Sequence, residues 1–200
     1  MRIAVLASGR GSNLQALIDA WQDGVLPIDI VAVGSDNPEA FALERAKKAG
    51  IQTMAFAAEN YPSRQVQEQA ILEWLSSYGV QLLVLAGYMR VLGESFIRSA
   101  NFPILNIHPS LLPAFPGLHA QRQALEYGVK VTGCTVHFVD EGLDSGPIIL
   151  QEAVPVFETD TEDVLSERIL EVEHRLYPEA VRLVAAGKIC RDNRRVMILG

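Results

Sequence analysis

Three polar side chains stand among apolar neighbours: Asn106 and His108 in ILNIH (104–108), and Asp144 in DEGLDSGPII (140–149). In an extended strand alternate residues share a face, so Ile104, Asn106 and His108 point one way and Leu105 and Ile107 the other. The strand therefore delivers an amide and an imidazole to one point at its carboxyl end. A carboxylate such as Asp144, between Gly142 and Gly146, could hold the imidazole and favour its charged form. An amide donor beside an imidazolium suits the oxyanion that develops during acyl transfer. The same pair also suits a structural role, hydrogen-bonding the proline-rich turn that follows, and residue types alone leave both readings open.

A second constellation, Gly9-Arg10-Gly11-Ser12-Asn13, lies between a strand-like run and a helical one. Backbone N–H groups at such a junction, with the helix dipole behind them, favour an anion, and glycine lets it approach closely. The third glycine of a dinucleotide fingerprint would fall at Leu14, and the lysine of a Walker loop is missing. A single terminal phosphate fits best; a tight turn with Ser12 or Asn13 as helix cap is the alternative. Weaker candidates are Arg64 at a helix start, the turn 88–92 after the fourth strand, and Glu173-His174 on the last long helix. The 88–92 turn occupies a carboxyl strand end, where open α/β sheets bind ligands, although a core-packing turn reads the same way.

No nucleophile is evident. There is no G-x-S-x-G elbow, Ser110 lies among prolines, and neither Cys134 nor Cys190 has an obvious histidine base. Direct attack of one substrate on another is therefore favoured over a covalent intermediate. His108, His119 and His137 form no H-x-x-x-H pair, so no metal is expected, and His119, His137 and His174 read as structural.

The elements that must position these residues follow from periodicity. Apolar runs of strand length at 3–8, 28–36, 51–56 and 81–87 alternate with helical patterns at 14–24, 39–50, 63–79 and about 94–99. Such alternation predicts an α/β fold: a Rossmann-like, mostly parallel sheet with helices on both faces, ILNIH as its fifth strand. After residue 130 two runs, 131–140 and 146–156, look like antiparallel additions. A helix then covers about 163–186, with Pro178 as a kink or break. The tail KICRDNRRVMILG reads as strand, polar turn and edge strand, or as an oligomer contact, which raises a homodimer as an expectation. The glycine-bearing stretch 117–133 is expected to be mobile over the site. One domain, 1–200, is expected, with a phosphate-binding half of about 1–100 and a catalytic half of about 101–200.

Composition narrows the partners. At 200 residues and 49% hydrophobic the chain can bury a substantial core. A formal charge of −7 and no basic tract argue against nucleic acid or an anionic membrane as partner. Two distant cysteines make no disulfide framework and read as reduced core thiols, and no signal or membrane segment is visible, so a cytoplasmic protein is expected.

SGRGSNLQALIDA, LAGYMRVL, NIHPSLLPAFPGLHA, TVHFVDEGLDSGPII and LEVEHRLYP together resemble the folate-dependent glycinamide ribonucleotide formyltransferases of purine biosynthesis, over essentially the whole chain. The resemblance implies transfer of the formyl group of 10-formyltetrahydrofolate, a co-substrate, to the amino group of 5′-phosphoribosylglycinamide, with no metal. It implies that Asn106, His108 and Asp144 are catalytic. Gly11, Ser12 and Asn13 would hold the phosphate, and Glu173, with Leu170, Glu171 and Val172, the ribose. Met89, Arg90, Val91 and Leu92 would embrace the pteridine, with Asn106 and the loop Asp140, Glu141, Gly142, Leu143 and Asp144, while Arg64 would meet the folate tail. Rivals are a formyltetrahydrofolate hydrolase, the transfer-RNA formylating relative, and a phosphate-sensing module that leaves Asn106, His108 and Asp144 idle.

Overall fold

In a parallel sheet covered on both sides, every strand residue faces apolar neighbours, so its strands carry unbroken apolar runs. That is the pattern of β1 (Arg2–Leu6) and β4 (Leu82–Leu85), where Ile3, Ala4, Val5, Leu6, Leu82, Leu83 and Val84 are fully buried. Each large aliphatic side chain so buried contributes about 1.5–3 kcal/mol relative to exposure. The computed structural model describes residues Met1–Gly200.

Two compact units divide the chain, Met1–Leu105 and Asn106–Gly200. In the first, α1 (Ser12–Gln22), β2 (Asp29–Ser35), α2 (Phe41–Lys48), β3 (Gln52–Ala55) and α3 (Arg64–Ser77) alternate before β4, and α4 (Glu94–Ser99) follows it. The strands β1–β2, β1–β4 and β2–β3 pair in parallel, as β-α-β units require. Ser63 caps α3, its hydroxyl accepting from Val66 N–H, a contribution of about 1 kcal/mol.

β5 (Ile104–His108) starts in one unit and ends in the other. The second unit then holds α5 (Ala120–Tyr127), β6 (Val131–Phe138), β7 (Ile148–Pro155), α6 (Glu162–Ala185), β8 (Ile189–Asp192) and β9 (Arg195–Ile198). Strand order in the seven-stranded, mostly parallel sheet is β3-β2-β1-β4-β5-β6-β7, and β6 and β7 are antiparallel as expected. β8 and β9 form a separate antiparallel hairpin, so the tail supplies a second small sheet.

The structure adds to the sequence reading or departs from it at four places. The first helix starts at Ser12, not Leu14, because Gly11 takes the left-handed backbone that ends the loop. The stretch 117–133 contains α5, whose AQRQALEY is rich in helix formers and is closed by Gly128 at φ 79°. Pro178 does not break α6: Leu176, Tyr177, Ala180, Val181 and Leu183 are buried around it, and this packing outweighs the missing N–H. Cys190 is exposed, because the hairpin that carries it is too small to have a core; Cys134 is buried as expected.

Candidate active site

In the first unit, β1 ends and the chain must turn sharply into α1. Gly11 makes the turn at φ 68° and ψ 34°, and its carbonyl accepts the Gln15 N–H at 2.9 Å. A Cβ on Gly11 would lie 2.8 Å from both Cα and Cβ of Ala42, so only glycine fits. With glycine at the N-cap no side chain caps α1, whose first N–H groups form the positive end of the helix dipole. Helix α2 supports the loop from behind. Ala42 N–H donates to the Gly9 carbonyl at 3.0 Å, and Arg45 Nε donates to the Arg10 carbonyl at 2.8 Å. Ser12 and Asn13 form the first turn of α1, Asn13 buried.

The turn after β4 is tied down at both ends. Met89 N–H donates to the Ser8 hydroxyl at 2.8 Å, and Gly93 N–H donates to Glu68 Oε1 at 2.9 Å. The same carboxylate oxygen accepts Arg64 Nε at 2.8 Å, while Arg64 Nη2 donates to the Val91 carbonyl. Arg64, expected to meet a ligand's carboxylate, therefore also clamps this turn. Met89 and Val91 are exposed and Leu92 is buried, so the four residues of the expected turn present different faces. The Tyr88 phenol is pushed above its ordinary range, mainly by burial and then by the charge of Asp36.

In the second unit Asn106, His108 and Asp144 come together. His108 Nδ1 lies 3.4 Å from Asp144 Oδ2, and both side chains are largely buried. His108 Nε2 lies 2.8 Å from the Phe115 carbonyl, which can only accept, so this nitrogen carries a proton. Asp144 Oδ2 also accepts Gly117 N–H at 2.8 Å, and Asp144 itself sits at φ 48°, a backbone conformation that few non-glycine residues adopt. Its loop is folded on itself: Asp140 Oδ1 accepts Gly142 N–H at 3.1 Å and the Ser145 hydroxyl at 2.6 Å. A Cβ on Gly146 would overlap the Phe138 carbonyl, and there Phe138 N–H donates to the Pro147 carbonyl at 2.9 Å. The β8–β9 hairpin reaches the same loop, with Arg194 Nη2 donating to the Ser145 carbonyl at 2.8 Å.

His137, read from sequence as structural, belongs to this cluster. Its Nδ1 lies 2.8 Å from the Phe138 carbonyl and must donate, which leaves Nε2 as an acceptor 3.2 Å from Asn106 Nδ2. Burial holds its pKa below the ordinary histidine value, against the opposing pull of the Phe138 hydrogen bond and Asp144. The neutral ring thus fixes which way the Asn106 amide faces. Thr135, two residues earlier on the same face of β6, accepts Leu112 N–H at 3.1 Å and donates to the Ser110 carbonyl at 2.7 Å, pinning the loop after His108. Strand alternation places Thr135 and His137 together; what the sequence lacked was the pairing that brings β6 beside Asn106.

Glu173 and Val172 are buried on α6, whereas Glu171 is exposed, so the residues of the expected run 170–173 differ in burial. Leu170 and Glu173, three residues apart, share a helix face. Glu173 lies near Cys134, whose thiol is pushed up to about 12, first by burial and then by the charges of Glu173 and Glu152. No group of three or more His, Cys, Asp or Glu side chains is arranged to hold a metal ion, and no helix is long and apolar enough to cross a membrane.

A polar cluster of this kind at a strand end is shared by many chemistries; comparison with known proteins narrows them. Residues 1–181 match the profile of the formyl transferases. The chain belongs to the formyl transferase family. Among its members, a phosphoribosylglycinamide formyltransferase of Escherichia coli is 45% identical over 189 residues, 94% of this chain and 89% of that one. A trifunctional purine biosynthetic protein adenosine-3 of Drosophila pseudoobscura is 48% identical over 192 residues. The chain spans only 14% of that relative's length, so it resembles one part of a larger protein there. Among solved structures, glycinamide ribonucleotide transformylase 1 of Symbiobacterium toebii superposes with a TM-score of 0.97 at 55% identity, covering 100% of this chain and 94% of that one.

Proposed function

We propose that this formyl transferase moves the formyl group of 10-formyltetrahydrofolate to the amino group of 5′-phosphoribosylglycinamide, a step of de novo purine biosynthesis in the cytoplasm. The observation that carries the reading is the convergence of Asn106, His108 and Asp144, with His137 orienting the amide. The substrate amine attacks the formyl carbon, its bond to N10 of the folate breaks, and a proton passes from the amine to N10. Asn106 Nδ2 and His108 donate to the formyl oxygen as negative charge gathers on it, His108 exchanging its Nε2 bond to the Phe115 carbonyl for this one, and Asp144 holds His108 in place. Donors aimed at developing charge stabilise the transition state more than the ground state, which raises turnover rather than affinity alone.

Direct transfer is supported by the state of the alternatives. The Ser110 hydroxyl donates its proton to the Ala114 carbonyl at 2.5 Å rather than to a base, and the Cys134 thiol is buried and held protonated. Gly11, Ser12 and Asn13 receive the ribose phosphate, and Glu173 with Leu170, Glu171 and Val172 the ribose. The pteridine is received by Met89, Arg90, Val91 and Leu92 with Asn106 and residues 140–144, and Arg64 meets the folate tail. The partners are these small molecules, without nucleic acid or membrane.

The test is turnover of purified protein with formyl-folate, with and without glycinamide ribonucleotide. Formyl transfer that requires both, with initial-rate lines that intersect, is expected. Equal release of formate without the ribonucleotide would identify a hydrolase, and parallel lines would overturn direct transfer.

A further inference from the structure

Glu68 lies outside every segment assigned above to a ligand, yet it is the one buried carboxylate of the first unit, with only 8% of its surface exposed. A carboxylate is removed from water at considerable cost unless donors replace the solvent. Here Oε1 accepts from Arg64 Nε at 2.8 Å and from Gly93 N–H at 2.9 Å. Arg64 in turn donates through Nη2 to the Val91 carbonyl. Two peptide groups of the turn, at 91 and 93, therefore hang on one ion pair at the start of α3. A Cβ at Gly93 would meet Glu68 Oε2 at 2.7 Å, so a side chain there would push the carboxylate out of this position.

We infer that Glu68 is a positioning residue for folate binding, acting through Arg64 and the backbone of the 88–93 turn; the inference rests on the function proposed above. The turn is short, and its exposed side chains, Met89 and Val91, pack on little of the protein. What fixes its backbone is hydrogen bonding: Ser8 at residue 89, and the Glu68–Arg64 clamp at residues 91 and 93. A ligand read by backbone groups needs them held in place before it arrives, because ordering them on binding would weaken affinity. The clamp has a second effect. By taking the Nε edge of Arg64, Glu68 fixes which part of the guanidinium remains for an anionic tail and reduces its net charge. Arg64 is thus both strut and ligand, and Glu68 sets the balance.

The experiment compares Glu68→Ala, Glu68→Gln and, as a control on the same helix, Glu73→Gln. Affinity for formyl-folate and for glycinamide ribonucleotide is measured separately by calorimetry, and amide exchange at Leu92 and Gly93 is followed without ligand. Hydrogen bonds to charged groups stabilise by amounts equivalent to about 10-fold or more in an equilibrium. Glu68→Ala should weaken formyl-folate by about 10-fold or more, leave the ribonucleotide within about twofold, and accelerate exchange at Gly93. Glu68→Gln keeps an acceptor for Gly93 N–H and should recover part of the loss, while Glu73→Gln should resemble the parent. Unchanged folate affinity in Glu68→Ala, or equal loss of both ligands, overturns the inference. If the parent protein binds no formyl-folate, the proposed function fails instead, and exchange at Gly93 still decides whether Glu68 holds the turn.

Discussion

Replacing Gly11 by valine sets a steric cost directly against ligand affinity. At φ 68° a side chain bearing a Cβ loses about 1–2 kcal/mol to its own backbone, and β-branched residues are the worst placed there. The new Cβ would also stand 2.8 Å from Cα and Cβ of Ala42, roughly 1 Å inside normal carbon contact. Together these reach at least about 2 kcal/mol. Taken up by the whole fold, that would lower the melting temperature by roughly 4–8 °C. If the loop instead moves off α2 to relieve it, the same energy appears as a loss of roughly 30-fold in affinity for the ligand it holds. Calorimetry with each ligand alone, alongside thermal melting, separates the two. The expected result is a ribonucleotide affinity reduced about 10- to 30-fold, with formyl-folate affinity within about twofold of the parent. Adding Ala42→Gly removes one of the two contacts and should restore part of the loss. Unchanged ribonucleotide affinity would refute the assignment of this loop, and equal weakening of both ligands would show that the substitution only damages the fold.

Asp144→Asn and His108→Ala should each lower kcat by about 100-fold or more with cooperative melting retained, since both act on charge that develops in the transition state; single-turnover rates decide this. His137 supplies a pH dependence of stability. Its folded pKa lies below the ordinary 6.5, so the unfolded chain binds the proton more readily, and stability should fall as pH drops from about 6.5 through the folded value. The slope is at most about 1.4 kcal/mol per pH unit and should flatten in His137→Gln, as denaturant titration at several pH values would reveal. Cys134, its thiol pushed up to about 12 and buried, should resist maleimide in the native protein while exposed Cys190 reacts. Mass spectrometry before and after denaturation should find one label and then both.

Strand alternation correctly aimed Asn106 and His108 at one point, because a strand's period of two leaves no other choice once one face is buried. Asp144 was legible only as a carboxylate in a glycine-flanked loop; its distance to His108 depends on a backbone at φ 48° that no propensity predicts. His137 and Glu68 were not legible. Each acts across a tertiary contact, between β6 and the Asn106 amide or between α3 and the 88–93 turn, and local sequence carries no record of such contacts. Glu68 left one trace, its place four residues after Arg64 on a helix start, which is also the commonest surface ion-pair spacing. Of the kink or break that Pro178 suggested, the break does not occur, because the burial of its helix face overrules a strong local propensity.

The Arg194 guanidinium holds the Ser145 carbonyl from 49 positions further along the chain. Synthesis is vectorial, at about 5–20 residues per second, so the brace is made roughly 2 to 10 seconds after the loop it serves. During that interval the segment bearing Asp144 keeps its shape through the bonds of Asp140 with Gly142 and Ser145 and through that of Asp144 with Gly117 N–H. The nascent chain therefore completes its glycine loop early and its charged loop late, and a ribosome paused between residues 145 and 194 would display the first unit whole and the Asp144 loop without its last brace.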